Sequence, residues 1–322
     1  MKIYPQCRNG IFPPLINALG QVMPCCMQQY ESKVKTIDGR IVDNIFAAPE
    51  FNINNRRFGD IIESPEWLQV IETIEIQQHF ICGVFCKKKK PAPFNRGVTE
   101  YKQIETKEFD TLQVEMTNVC TLKCPYCRRQ TAPIRLNKDQ LDINRLWDAV
   151  KYKHWEKLID CSIYGDPLWY DAWPAFLDRM VQERPVSQYN VSLAATGRGL
   201  DYWRLLVKLF GKLHDRGVVV DLYFGIDGVR SYKHRVNQDW DEITGALQMI
   251  ASETNIVPKL QFIPFSWNEH EIDHMMLLAE KWGAEFYLRK SSRFRAGDPN
   301  TPTDPDLYHD YISDQPKKLY EV

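Results

Sequence analysis

Residues 117–128 read T-N-V-C-T-L-K-C-P-Y-C-R and follow an alternating apolar run that predicts a β-strand at 112–117. The stretch places Cys120, Cys124 and Cys127 in a C-x3-C-x2-C spacing on one short loop. Three thiolates can hold three irons of a cubane iron–sulfur cluster and leave the fourth iron without a protein ligand, whereas a cluster with four cysteine ligands mostly carries electrons. A zinc site normally takes four ligands, so a zinc interpretation needs a fourth ligand from elsewhere. The loop therefore indicates an iron–sulfur site with an open iron.

Tyr126 stands before the last cysteine, and the resulting pattern C-x3-C-x-Φ-C after a strand resembles the cluster loop of the radical S-adenosylmethionine (radical SAM) enzymes. The resemblance implies that the three cysteines bind a [4Fe–4S] cluster whose open iron is chelated by SAM. In that family, reductive cleavage of SAM yields a 5′-deoxyadenosyl radical, which abstracts a hydrogen atom from the substrate. It further implies that a flavodoxin- or ferredoxin-type reductant supplies the electron and that Tyr126 contacts SAM. The alternative is a zinc or redox-only site on the same thiols.

Length and composition set the broad class. The chain has 322 residues, enough for a barrel-sized domain with a smaller companion, and its 44% hydrophobic and 26% charged residues are normal for a soluble globular protein. The formal net charge of -1 gives no overall basic field that would attract nucleic acid or an anionic membrane. No apolar run reaches the length of a membrane span, and the first ten residues lack a signal-peptide pattern. We therefore expect a cytoplasmic protein, in which nine cysteines indicate metal binding or catalysis before disulfides.

Residues 1–97 are rich in turns and carry five of the nine cysteines. Residues 14–26 predict a β-hairpin with its turn at Gly20. Ser64 followed by Pro65 marks the start of a helix, with Ser64 as the N-cap. A basic run at 87–90, followed by prolines, predicts a linker and hence a domain boundary near residue 97.

The same segment resembles the SPASM or twitch auxiliary-cluster domain that accompanies many radical SAM enzymes. The similar pieces are a lone cysteine, a G-x4-C unit, the run F-G-D-I-I-E-S-P-E-W and a closing cysteine pair. In that family the domain usually follows the barrel, whereas here it precedes it. The resemblance implies one auxiliary [4Fe–4S] cluster held by Cys7, Cys25, Cys82 and Cys86. Cys26 could replace Cys25, and the same thiols could instead form a zinc knuckle.

From about residue 108 to 290, predicted strands alternate with predicted helices, which is the pattern of parallel β/α architecture. The predicted strands are 112–117, 157–163, 189–195, 218–224, 256–264 and 284–288, and the predicted helices lie near 138–155, 170–183, 200–216, 239–254 and 269–282. Six such units resemble the partial (β/α)6 TIM-like barrel of the radical SAM family. The expected fold is α/β: an auxiliary-cluster domain at 1–97, a partial barrel at 98–290 and a C-terminal tail at 291–322. In such barrels the active site lies at the C-terminal ends of the strands.

Short motifs follow the predicted second and third strands. The run Y-G-D-P at 164–167 resembles the family's G-G-E-P element, with Asp166 in place of glutamate. The resemblance implies that Gly165 and Asp166 contact SAM, because glycine allows close approach and a carboxylate attracts an ammonium group. Thr196 stands at the family's T-N-G segment and is a further candidate SAM contact. The alternative for both motifs is ordinary turn chemistry.

The fourth predicted strand ends in F-G-I-D-G, and His234-Arg235 follow; together they resemble the family's S-L-D-G … H-D-x-x-R stretch. Gly225 replaces a serine that often contacts the ribose. The resemblance implies that Asp227 accepts a hydrogen bond from a hydroxyl of SAM and that Arg235 pairs with its carboxylate. Arg235 could equally be a surface residue of the next helix. Gln261, on the fifth strand, is expected to face the barrel interior near the substrate.

Three function hypotheses follow. Most SPASM enzymes act on polypeptides, so the resemblance implies hydrogen abstraction from a peptide or protein substrate. The second hypothesis is a radical SAM dehydrogenase or rearrangement enzyme that acts on a small metabolite. The third, from another class, is a non-catalytic zinc or electron-transfer protein.

Overall fold

A computed structural model describes residues 13–23, 33–35, 41–43, 45–68, 110–127, 129, 140–161, 164–230, 233–290 and 298–307. The five cysteines of the predicted auxiliary domain, Cys7, Cys25, Cys26, Cys82 and Cys86, lie outside the described residues. The predicted boundary near residue 97 also lies outside them, so the auxiliary cluster and the domain division stay predictions.

An eight-stranded, mostly parallel sheet forms the centre of the fold. Its strands are β1 (Leu15–Ile16), β2 (Val22–Met23), β5 (Thr111–Val114), β6 (Trp155–Asp160), β7 (Val186–Leu193), β8 (Val219–Gly225), β9 (Lys259–Phe262) and β10 (Glu285–Leu288). Across the sheet the order is β10-β9-β8-β7-β6-β5-β1-β2. Strands β3 (Lys33–Lys35) and β4 (Ile41–Asp43) form a separate antiparallel pair.

One helix follows each of the parallel strands from β5 to β9. After a short α1 (Phe58–Ile62), these helices are α2 (Ile143–Val150), α3 (Trp173–Glu183), α4 (Leu200–Asp215), α5 (Trp240–Glu253) and α6 (Ile272–Lys281). N-cap side chains mark the start of α2 and α5. The side chain of Asp142 accepts from the N–H groups of Asn144 and Arg145, and that of Asp239 accepts from the N–H of Glu242. The α/β class and the predicted alternation of strands and helices are confirmed.

The N-terminal hairpin is present and joins the main sheet. β1 pairs antiparallel with β2 and parallel with β5. Its turn relies on Gly20, which adopts a left-handed φ of 84°, and on Asn17, whose Oδ1 accepts from the N–H groups of Leu19 and Gln21 at 3.0 Å. The hairpin therefore extends the same sheet as residues 110–290, although the sequence had assigned it to the N-terminal domain.

The sheet packs its apolar face against helices. Leu158, Val191 and Leu222 are all buried and lie on this face. Indole groups of two helices reach the same face: Trp173 of α3 donates to the Tyr189 hydroxyl at 3.1 Å, and the Trp203 ring of α4 lies 5.8 Å from that of Phe224. Within the described part of the chain, no helix has the length and apolar character needed to cross a membrane.

Candidate functional site

The cysteine loop, residues 115–127, crosses the C-terminal edge of the sheet. The N–H of Asp166, after β6, donates to Val119 O at 3.0 Å, and Thr121 Oγ1 donates to Thr196 O, after β7, at 3.1 Å. The N–H of Lys123 donates to Val236 O, after β8, at 3.0 Å. Carboxyl ends of parallel strands meet at one edge, so these bonds fix the loop above the strand ends, where active sites of parallel β/α proteins lie.

The base of the loop rests directly on Gly165. The Glu115 carboxylate, fully buried, accepts from the N–H groups of Tyr164 and Gly165. A Cβ atom on Gly165 would lie 1.8 Å from Thr117 O and 2.9 Å from Asn118 Cα. Only glycine permits this approach of two backbones. Gly165 therefore admits the backbone of the cysteine loop, and its contact with SAM stays a prediction.

The three cysteines of the loop carry half-buried thiols. Burial, with smaller contributions from the charges of Asp166 and Cys124, raises the pKa of the Cys120 thiol to about 12. Cys124 also raises the pKa of Arg235, so both Cys120 and Arg235 lie within electrostatic reach of Cys124. Arg129 Nη1 donates to the backbone oxygen of Cys120 at 2.9 Å. Two of the three thiols, those of Cys120 and Cys124, therefore lie near each other, and Cys124 lies near the buried cation of Arg235.

The loop supplies three thiols, the number that a cubane cluster with one open iron takes from a protein. Among the described residues, no three His, Cys, Asp or Glu side chains are arranged around a single metal ion. In a cubane each cysteine binds a different iron, so that finding concerns single-ion sites. Asn118, two residues before Cys120, is fully buried, and neither of its amide atoms has a hydrogen-bond partner within the part of the chain that the structure describes. Hydrogen-bond donors of this type tune the sulfurs of iron–sulfur clusters when they lie next to them.

Asp166 and Thr196 use their side chains to join neighbouring loops. Asp166 Oδ2 accepts from the N–H groups of Ala194 and Ala195 at 2.8 Å, and its Oδ1 accepts from that of Leu168 at 3.0 Å. The Thr196 hydroxyl accepts from the N–H of Asp239 at 2.8 Å. The structure places both residues at the edge that carries the cysteine loop. Their role as SAM contacts stays a prediction.

A buried cluster of three ionisable residues follows β8. Asp227 Oδ2 lies 2.7 Å from Nδ1 of His234 and 2.9 Å from Nε of Arg235, and Asp227 Oδ1 accepts from the N–H of Ile263 at 3.0 Å. Burial alone would raise the pKa of Asp227, but Arg235 and His234 outweigh it and lower that pKa below its usual value. Arg235 is only 8% exposed, so the alternative that it is a surface residue is wrong.

Tyr126 is held by the C-terminal segment. Its hydroxyl donates to the Asp298 carboxylate, whose oxygens lie 2.8 and 2.9 Å away, and accepts from Asn300 Nδ2 at 2.7 Å. Burial and the Asp298 bond raise the pKa of Tyr126 to about 12. The ring stacks on Phe265 with centroids 5.8 Å apart. Tyr126 therefore connects the cysteine loop with residues that the sequence assigned to a tail.

Sequence reasoning missed Glu115, Asn118 and Asp298. The first two had a signal: an acid and an amide that interrupt an apolar strand end just before the first cysteine. Asp298 had none, because it lies in a stretch with prolines and little periodicity.

No protein-family model matches this chain, and no curated protein matches it.

Proposed function

We propose that the protein is a radical SAM enzyme, in which Cys120, Cys124 and Cys127 hold a [4Fe–4S] cluster and its open iron binds SAM. The observation that carries the proposal is the position of this C-x3-C-x2-C loop, tied across the C-terminal edge of a parallel sheet. When bound, cluster and SAM supply reductive cleavage of SAM to an organic radical that abstracts a hydrogen atom from the substrate.

The order of strands supports a partial (β/α)6 barrel. Strands β5 to β10 are neighbours in the order in which they occur in the chain, and a helix follows each of β5 to β9. Crossover connections between parallel strands are almost always right-handed, so sequential order puts all these helices on one face. A sheet with helices on one face shields its other face by curling, which is the geometry of a barrel wall.

The residues of the site have separable roles in this proposal. Arg235 provides a buried positive charge, within electrostatic reach of Cys124, for the carboxylate of SAM. Asp227 fixes the orientation of Arg235 and offers an acceptor to a hydroxyl. The stacked rings of Tyr126 and Phe265 exclude water from one side and provide an apolar surface for SAM. Gly165, Asp166 and Thr196 hold the loops at their relative positions.

The substrate that we propose is a peptide or protein. This proposal is supported by the resemblance of residues 1–97 to an auxiliary-cluster domain, because most enzymes that contain such a domain act on polypeptides. The second candidate is a small metabolite that undergoes dehydrogenation or rearrangement. A ferredoxin- or flavodoxin-type protein would supply the electron.

Anaerobic reconstitution tests the cofactor assignment. We expect about eight irons per chain if both clusters form, and about four when Cys120, Cys124 and Cys127 are replaced by alanine. The matched control is Cys161→Ala, because Cys161 is also half-buried but lies outside the loop; this variant should keep all its iron. The reduced wild type should release 5′-deoxyadenosine from SAM. A protein that takes up zinc and never cleaves SAM would instead be the non-catalytic alternative.

Deuterium transfer tests the substrate class. Reduced enzyme is incubated with SAM and deuterated candidate peptides or metabolites, and label is followed into 5′-deoxyadenosine. Label that arrives only from small molecules removes the peptide proposal and leaves the enzyme class intact.

A further inference from the structure

The face of the sheet opposite the helices is polar. Register places Gln113, Asn190 and Asp221 in one row, Ser192, Tyr223 and Lys259 in the next, and Gln261 and Tyr287 in a third. Parallel strands that are covered on both faces by packed core are normally apolar throughout. The composition of this face, termed the polar face below, therefore favours contact with water or a ligand over a second apolar core.

The polar face leads to the cysteine loop. Gly225 pairs with Gln261 in the third row, so its Cβ direction points onto this face. That position is occupied by Arg235, whose Cζ lies 2.7 Å from where the Cβ atom would be. Because Arg235 is within electrostatic reach of Cys124, a ligand on the polar face would lie next to the proposed cofactor site.

Most polar groups of this face pair with one another. Gln188 donates to Asp221, which also accepts from Lys259 Nζ at 2.8 Å. Gln261 Oε1 accepts from Arg289 at 3.3 Å. The Lys259 and Asp221 charges compensate each other, and the exposed Glu285 lies next to Lys259 in the same row.

Asn190 is the exception. Its side chain is only 8% exposed, and among the described residues its Oδ1 atom has no hydrogen-bond partner. Leaving a buried acceptor unpaired destabilises the fold, so such groups in folded proteins call for an explanation. A ligand that donates an N–H to Oδ1 provides one.

We infer that the polar face is the substrate site and that Asn190 recognises the N–H of an amide group. An amide presents one donor and one acceptor on a neutral plane, which matches the carboxamides of Asn190 and Gln261. The rings of Tyr223 and Tyr287, 5.6 Å apart and half-buried, offer apolar surface beside them. The amide would be the substrate class of the proposed enzyme, and only the word substrate depends on the proposed function. Binding itself needs neither SAM nor a cluster.

The test uses the full-length metal-free protein and saturation-transfer NMR. The probes are N-acetyl amino-acid amides for a peptide source, primary carboxamides such as benzamide for a small-molecule source, and the matching methyl esters, which lack the N–H. We expect one amide series to bind and its esters to bind at least about fivefold more weakly, because the ester leaves Oδ1 unpaired. Esters that bind as well as amides, or amides that do not bind, would overturn the inference without any variant.

Two variants assign the effect to Asn190. Asn190→Leu should weaken amide binding at least about fivefold and keep or raise the thermal midpoint, because it removes a buried unpaired acceptor. Gln140→Leu, which lies outside the polar face, removes an amide that donates to Trp169 O and accepts from the N–H of Asp171; it should lower the midpoint while leaving amide binding unchanged. If Asn190→Leu lowers the midpoint and leaves binding unchanged, Asn190 is structural and the inference is wrong. If the protein binds amides but does not cleave SAM, only the proposed function is overturned. If it cleaves SAM but does not bind amides, only this inference is overturned.

Discussion

Gly225 and Arg235 share one space at the end of β8: a Cβ atom on Gly225 would lie 2.7 Å from both Cζ and Nη2 of Arg235. The missing side chain lets the guanidinium lie against the strand, where Asp227 holds its Nε at 2.9 Å. The same guanidinium is within electrostatic reach of Cys124 and Asp166. The absence of a side chain at position 225 thus makes room for the buried cation.

Gly225→Ala should displace Arg235. Because the cation is buried and Asp227 is its partner, we expect a loss of about 1–3 kcal/mol in the free energy of unfolding, measured by urea denaturation. Under the proposed function, SAM binding should weaken as well. The control is Gly211→Ala within α4, where the new Cβ would meet Thr254 Cγ2 at 3.3 Å and gain helix propensity. Equal stability of the two variants would contradict the role assigned to Gly225.

Asp227→Asn should be more damaging, because it leaves Arg235 buried without its counter-charge. Removing one partner of a buried pair costs about 3–5 kcal/mol. Asp201→Asn serves as control, since its ion pair with Arg204 is exposed and should contribute little. Urea denaturation of both variants at pH 7 gives the comparison. A loss at position 227 no larger than at position 201 would show that Arg235 finds another partner.

The contribution of Asp227 should depend on pH. Its pKa is lowered in the folded protein, because Arg235 and His234 outweigh the opposing effect of burial. A carboxyl group with a lowered pKa contributes stability above its unfolded pKa of about 4 and loses it as the pH falls through the folded value. The difference in unfolding free energy between wild type and Asp227→Asn should therefore be constant above about pH 5 and shrink below about pH 4. A difference that grows on acidification would have the wrong sign.

The alternation of strands and helices was predictable because it is a local property. In α4, the leucines at 205, 206, 209 and 213 predict a buried helix face; Leu206, Leu209 and Leu213 are buried, whereas the prediction is wrong for Leu205, which is 45% exposed. The position of the cysteine loop followed from a general rule, since a loop after a parallel strand lies at the C-terminal edge. These parts of the fold and of the site can be predicted without knowledge of long-range contacts.

The contacts that shape the site are long-range, and no local pattern predicts them. Tyr126 and Asp298 are 172 positions apart, and the bond between them depends on where the chain returns after β10. The sequence around the two-residue strands β1 and β2 predicts a hairpin, but it does not predict which sheet the hairpin joins. Asn190 alternates with apolar residues as any strand residue does, and only the register shows that it lies on the polar face.

Gly165→Ala should separate the cysteine loop from the turn below it. The added Cβ would lie 1.8 Å from Thr117 O, a backbone atom that can move only if the loop moves. We expect a loss of about 1–3 kcal/mol in unfolding free energy and reduced iron in reconstituted protein. Gly245→Ala is the matched control, because its Cβ would meet only Leu200 Cδ2, the end of a flexible side chain, at 3.2 Å. Full iron loading of Gly165→Ala would show that the loop tolerates the shift.

Tyr126→Phe should loosen the C-terminal segment. The phenol is bound by Asp298 and Asn300, and residues 298–307 have further anchors, because Pro299 O accepts from the Ser266 hydroxyl at 2.7 Å and Thr303 N–H donates to Glu269 at 2.8 Å. Removal of one of several anchors should raise amide hydrogen exchange in 298–307 and lower global stability by only about 1 kcal/mol.

The control for this prediction is Tyr152→Phe, which also removes a hydroxyl bonded to a carboxylate, that of Glu63. It should leave exchange in 298–307 unchanged, since Tyr152 packs against Phe58 and Trp155 instead. A double-mutant cycle with Asp298→Ala then isolates the pair: the coupling energy should be about 1 kcal/mol, because the two groups touch directly. A coupling near zero, or equal exchange in both tyrosine variants, would mean that Ser266 and Glu269 hold the segment without help from the cysteine loop.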